Sequence, residues 1–322
     1  MTQNGNILGR EKTLEQLLFN KEYSIDYYQR EYKWGERQIG ELITDFENKF
    51  LNDYEDGDKR KDVQKYQPYF LGSIILVNKD NQTFIIDGQQ RLTSLTLLLI
   101  FLYRQLRNDE DKANILKYIL STQYGELTFN LNIPSRKDCI QKLYNEGTYE
   151  INENDDESIA NLVDRYENIE ELFPPSILND EKKLLMFVDW LQKKLVFVEI
   201  ITGNDQDAYT IFETMNDRGL SLNNSEMLKG YLLSQIHSSE QRNKANSKWK
   251  NTVEKLIKSH KKHEEDYVKA WLRGKYANSI RERKKGAEDK DFEIIGNAFH
   301  RWVRNNKDDL LLGDSNEYYN FI

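Results

Sequence analysis

The chain has 322 residues, 31% charged and 38% hydrophobic, with a net charge of −8 at neutral pH. That length carries a sizeable core and room for two domains, and the composition excludes a disordered chain. The acidic balance argues against a polycation that coats nucleic acid without selection, though a local basic groove stays open, and the single cysteine, Cys139, excludes an internal disulfide.

One cysteine suits a reducing compartment. The N-terminal MTQNGNILGREK lacks the apolar core of a signal peptide. The longest apolar run, Leu95–Tyr103, falls far short of the roughly 20 residues that cross a bilayer. We therefore expect a soluble, cytoplasmic protein with no membrane partner. Only 4 prolines in 322 residues leave long helices uninterrupted.

In chain order, Thr13–Phe19 (TLEQLLF) reads as a short helix capped by Thr13. Tyr23–Tyr27 alternates and reads as a strand running into a loop. From Glu36, Ile39, Leu42, Ile43, Phe46 and Phe50 recur at helical spacing, and the polar stretch Asn52–Lys65 reads as an exposed loop. Pro68–Val77 and the TFIID stretch form a strand pair joined by the turn NKDNQ.

A helix then opens near Gln90, apolar on nearly every side, as a helix in the middle of a domain must be. After the first hundred residues the pattern is almost wholly helical, with Asn145–Glu157 the best linker. The exception is Lys193–Thr202, a buried strand, followed by a helix over about 205–215, the loop NDRGLSLNNS and a helix from Glu226. The last residues, GDSNEYYNFI, read as a helix start capped by Ser315 or Asn316 and cut short, or equally as an ordinary frayed end.

Three stretches could carry chemistry. In DGQQR, Asp87 to Arg91, a turn glycine precedes a helix whose unpaired N–H groups and positive dipole end favour an anion. Arg91 adds a forked cation for phosphate oxygens, and Asp87 could hold a metal ion or orient a water. The same turn serves equally as a cap in which Asp87 merely pairs with Arg91. In YYQREYKW, Tyr27 to Trp34, aromatic faces alternate with cations, as suits stacked bases and phosphates, or the rings are simply core.

In FETMNDRGLSLNNSEMLKGYLL, Phe212 to Leu233, a polar loop lies between two apolar helices, and an ordinary connection has the same composition. The basic clusters Arg281–Lys285 and Lys258–Lys262 read as solvated faces. Neither a phosphate-binding G-x-x-x-x-G-K-[ST] nor G-x-G-x-x-G nor H-E-x-x-H occurs. His260 and His263 share a helical face without further zinc ligands.

YQREYKW, YFLGSIIL, IIDGQQRLTSL and NDRGLSLNNSEMLKGYLL, in that order, resemble the N-terminal domain of GmrSD-type, modification-dependent (type IV) restriction proteins, over about Glu11 to Leu233. DGQQR is the most specific of the four. The resemblance implies an α+β chain: a ParB/sulfiredoxin-like mixed-sheet, nucleotide-binding domain over residues 1–106, then a mostly helical domain over 107–322, with 193–235 packing back on the first. It implies a nucleoside triphosphatase that uses Mg²⁺ and senses modified phage DNA, such as glucosylated bases or a phosphorothioate backbone. An HNH-type nuclease would follow, fused after Ile322 or as a separate partner, and an oligomer stays open.

Carried over residue by residue, Asp87, Gln89, Gln90 and Arg91 would be catalytic, with Asp87 also holding Mg²⁺. Gly88, Arg91, Thr93, Asn216, Arg218, Gly219 and Ser221 would bind nucleotide, and Tyr28, Gln29, Arg30, Tyr32, Lys33 and Trp34 would touch DNA. Asp26 departs from the family pattern, which has proline before the aromatic-Gln-Arg run, and this puts the local loop shape in doubt. The alternatives are a regulatory module that binds nucleotide or DNA phosphate without turnover, and a ParB-like nuclease.

Overall fold

A computed structural model describes residues 8–25, 31–79, 82–123, 125–153, 155–203, 207–208, 210–211, 214, 224–257, 263–282, 284 and 287–322. The described residues up to 203 form one compact unit and those from 207 a second. Both strands and helices are present in quantity, as an α+β chain requires.

The first unit grows from local signals that the sequence states plainly. Thr13 ends strand β1 (Leu8–Thr13) and caps helix α1 (Leu14–Leu18). Its Oγ1 accepts from Gln16 N at 3.3 Å while Gln16 Oε1 accepts from Thr13 N at 3.2 Å, a reciprocal capping box. Helix α2 (Glu36–Asp53) buries Ile39, Leu42, Ile43, Phe46 and Phe50, the stripe read from spacing. The strand expected over Tyr23–Tyr27 is present as β2 (Tyr23–Ile25), and Asp26 and Tyr27 lie outside the described residues.

Strands β3 (Tyr69–Lys79) and β4 (Gln82–Asp87) pair antiparallel, and Asp80 and Asn81 of the expected turn lie outside the described residues. Helix α3 (Gln89–Gln105) then buries every residue from Leu92 to Leu102.

The polar stretch 52–65 is not wholly a loop. Arg60–Lys65 forms a 3-10 turn that buries Val63, and Arg60 grips Asp189 twice, Nε to Oδ2 at 2.7 Å and Nη2 to Oδ1 at 3.0 Å. This two-pronged geometry fixes the turn on the core, next to rings of Phe50, Phe187 and Trp190 that meet at centroid distances of 5.4 to 6.2 Å.

Helices α4 (Asp109–Leu116), α5 (Lys137–Glu146), α6 (Glu157–Leu172), α7 (Pro175–Leu178) and α8 (Glu181–Lys194) complete the unit. A domain boundary at 106 is therefore not where this structure divides: α3 packs on α5 and α6, and α8 packs on α1, inside one unit.

Three strands interrupt the region whose pattern is almost wholly helical. They are the hairpin β5 (Leu120–Gln123) and β6 (Glu126–Phe129), and β7 (Leu131–Asn132). With β8 (Leu195–Thr202) the main sheet has the order β1-β8-β3-β4-β2-β7. β8 lies parallel to β3, and β1 borders it antiparallel with a charged, solvent-tolerant edge. β4, β2 and β7 are consecutive and mutually parallel. Their carboxyl ends therefore open at one edge, where open α/β sheets place ligands.

The second unit contains α9 (Asn224–Ser234), α10 (Ser239–Ile257), α11 (His263–Tyr276), α12 (Asp291–Asn305) and α13 (Ser315–Phe321) among its described residues. Asn224 ties three of them together: its N donates to Glu265 Oε1 at 3.0 Å, and its Oδ1 lies 2.8 Å from His300 Nδ1. The Asp291 carboxyl is held below its usual range chiefly by the Trp302 indole N–H, at 3.0 Å. The cap of α13 is Asp314, not Ser315 or Asn316, because its carboxylate reaches the N–H groups of both Asn316 and Glu317. No helix among the described residues is long and apolar enough to cross a membrane.

Candidate functional site

At the carboxyl end of β4 the chain turns on Gly88, whose φ of 94° is left-handed. A Cβ there would come within 3.0 Å of Ile74 Cγ1 and 3.5 Å of the Ser73 carbonyl oxygen, so both backbone conformation and space call for glycine. Gly88 is also the N-cap of α3 and, without a side chain, supplies no capping oxygen to the first turn. The positive end of a 17-residue helix thus faces the sheet edge uncapped by its own N-cap residue.

Asp87 and Arg91 sit on either side of this turn and pair, Arg91 Nη2 to Asp87 Oδ2 at 3.1 Å. Both remain partly open, with side chains 29% and 21% exposed. Arg91 Nη1 also reaches the Leu71 carbonyl at 3.4 Å. Its guanidinium lies across Gly72, a left-handed residue (φ 117°) at a register shift of β3, and a Cβ at Gly72 would collide with Nη1. The glycine of YFLGSIIL is thereby explained: it makes room for the arginine of DGQQR.

The two glutamines face inward, each only 6% exposed. Gln90 spends its amide on the segment 31–34: Oε1 accepts from Lys33 N at 2.8 Å and Trp34 N at 3.2 Å, and Nε2 donates to the Glu31 carbonyl at 2.9 Å. Its place is that of a clamp on the neighbouring loop. Thr93 is also buried, and its Oγ1 finds no hydrogen-bond partner among the described residues.

Tyr32 is fully buried, and its hydroxyl lies 2.7 Å from Ser94 Oγ. Burial, partly offset by that hydroxyl and by Arg165 and Arg136, pushes the phenol up to about 12. Tyr32 is therefore corrected from a DNA contact to a core residue, because a sealed ring offers no face to a base. Tyr32→Phe is expected to cost about 1 kcal/mol in chemical denaturation, the ordinary net worth of one hydrogen bond, and to leave DNA affinity unchanged. Trp34 is half-buried against the core and Lys33 is exposed. Tyr28, Gln29 and Arg30, together with Asn216, Arg218, Gly219 and Ser221, lie outside the described residues.

Sequence reading passed over the third strand of the edge. β7 leads through Ile133 and Pro134 to Arg136, which is 3% exposed, with its Nη2 3.7 Å from Glu31 Oε2. Only the register of β7 on β2, Tyr23 against Leu131, would have flagged it, and a two-residue strand carries no periodicity to read.

Among the described residues no three His, Cys, Asp or Glu side chains gather as a metal cage. Mg²⁺ is commonly held by one or two carboxylates plus the phosphates of its ligand, a role that the partly open Asp87 has the chemistry to fill. The family model described as the GmrSD restriction endonuclease, N-terminal domain, matches residues 14–233. No curated protein matches the chain.

Proposed function

The chain belongs to the family of GmrSD restriction endonuclease N-terminal domains, and from that premise we propose that it is the nucleoside-triphosphate-hydrolysing, DNA-modification-sensing part of an anti-phage restriction system. The observation that carries the reading is the pairing of Asp87 with Arg91 at 3.1 Å across a helix start whose N-cap is a glycine, at the carboxyl ends of parallel strands. Backbone N–H groups and the dipole of α3 favour phosphate, and Arg91 supplies a fork that fits phosphoryl oxygens.

Asp87 is the residue that would hold Mg²⁺, which when bound would supply neutralisation of phosphate charge; the same carboxylate would otherwise orient the attacking water, and Arg91 would stabilise charge growing on the transferred phosphoryl group. Gly88 admits the phosphates close to the backbone. Gln90 acts at one remove by fixing the segment Glu31–Trp34 beside the box. The fold we attach to this reading is ParB/sulfiredoxin-like, and exposed Lys33 is the described residue best placed in this segment for a DNA phosphate.

A separate HNH-type nuclease partner or domain would do the cutting.

One observation favours a second reading. The Asp87–Arg91 pair satisfies itself, so phosphate could be bound without turnover. Single-turnover assays with a labelled nucleoside triphosphate separate the two. Cleavage of the terminal phosphate, lost in Arg91→Ala, supports hydrolysis, whereas tight binding of intact nucleotide under every DNA condition supports the regulatory module.

A further inference from the structure

The guanidinium of Arg136 is the least satisfied charge in the described part of the first unit. It is 3% exposed, and neither Nε nor Nη1 has a hydrogen-bond partner among the described residues. Glu31 is its one ion-pair partner there, at 3.7 Å through Nη2, beyond good hydrogen-bonding distance. Asp156, the cap of α6, adds through-space attraction only, and burial outweighs both in holding the guanidinium below the ordinary arginine range. An arginine so placed is costly, and a buried group left without partners calls for an explanation, a bound anion among them.

A purely structural role for Arg136 would be to hold the segment 31–34, but that segment is already held. Gln90 binds the Glu31 carbonyl and the N–H groups of Lys33 and Trp34; Asn161 donates to the Tyr32 carbonyl at 2.8 Å, and Arg165 to the Trp34 carbonyl at 3.1 Å. Position argues for a ligand instead. Arg136 follows β7, the third of the parallel strands whose first, β4, delivers Asp87 and Gly88. It shares Glu31 with Gln90, the second residue of α3: Gln90 donates to the Glu31 carbonyl, and the Glu31 carboxylate faces Arg136.

We propose that Arg136 is the phosphate receptor at the back of the site: a polyphosphate bound at the start of α3 takes the place of the Glu31 carboxylate against its guanidinium. Glu31, 30% exposed at its side chain, turns to solvent in the exchange. The proposal rests on reading the DGQQR turn as a phosphate site, and it adds to Arg91 a second arginine and a carboxylate that competes with the ligand.

The test uses the full chain and inorganic pyrophosphate, with binding read by calorimetry and ligand-free melting temperature read alongside, in the parent, Arg136→Gln and Glu31→Gln. The expected result has three parts. The parent binds pyrophosphate, Arg136→Gln binds it about ten- to a hundredfold more weakly while melting no lower than the parent, and Glu31→Gln binds it several-fold more tightly. An Arg136→Gln variant that melts well below the parent yet binds pyrophosphate equally well would show that the arginine serves the fold alone. A parent chain that binds no pyrophosphate overturns the proposal outright. Pyrophosphate binding that depends on Arg136, without turnover of any nucleotide, would keep this site and remove the hydrolase reading.

Discussion

Arg91→Ala is expected to lower nucleotide turnover about 10²–10³-fold while shifting stability by less than about 1 kcal/mol. The rate estimate is the usual cost of deleting one preorganised donor aimed at developing charge, and arginines in phosphoryl transfer reach the upper end or beyond. The stability estimate follows from where the side chain sits: the Arg91–Asp87 pair stays partly open, at 21% and 29% exposed, so water can reach the carboxylate that Arg91→Ala leaves behind. Arg91→Lys should not restore the rate, because an ammonium cannot span Asp87 Oδ2 and the Leu71 carbonyl as the guanidinium does. Steady-state kcat and KM would separate the roles. A fall in kcat at near-constant KM marks charge stabilisation in the transition state, and a rise in KM alone would reduce Arg91 to a binding residue.

Gly72→Ala should reproduce much of that loss from a strand that touches no substrate in the proposed site. The new methyl group would collide with Arg91 Nη1, and the flexible end of the arginine is what gives way. Arg91 would then leave both the Leu71 carbonyl and the Asp87 carboxylate. A left-handed φ of 117° adds about 1–2 kcal/mol of strain for any residue with a Cβ. We expect turnover to fall at least about tenfold, with a loss of stability of that size. Adding Arg91→Ala to Gly72→Ala should then cost little more in turnover, since the two act on one guanidinium. Fully additive losses in this double-mutant cycle would show that Gly72 and Arg91 act independently.

Which parts of this arrangement could be read in advance follows from how local their causes are. The Thr13 cap, the α2 stripe, the β3–β4 pair and the all-round apolar α3 each rest on a spacing or a turn residue within one element, and each stands in the structure. β1 was missed because GREKT is a charged edge strand, stabilised by β8, nearly 190 residues later in the chain, rather than by its own pattern. Asp87, Gly88 and Arg91 could be singled out because turn, helix start and cation are adjacent.

Tyr32 could not be told from a surface aromatic, since composition does not say which ring turns inward to meet Ser94. Arg136 carried no signal at all: its significance comes from the pairing of β7 with β2, a contact between residues more than a hundred positions apart. Gln90 was legible as a member of the box but not as a clamp, because its partners are backbone atoms of another segment.

The most direct measurement is release of inorganic phosphate by the purified chain with ATP, GTP, CTP and UTP in turn, in Mg²⁺, with and without modified phage DNA, beside Asp87→Ala. Hydrolysis at the start of α3 predicts release by the parent with at least one nucleotide and DNA combination. It also predicts loss of that release in Asp87→Ala, with the melting temperature near that of the parent. An Asp87→Ala chain that releases phosphate as fast as the parent, or a parent that releases none under any of these conditions, would contradict it.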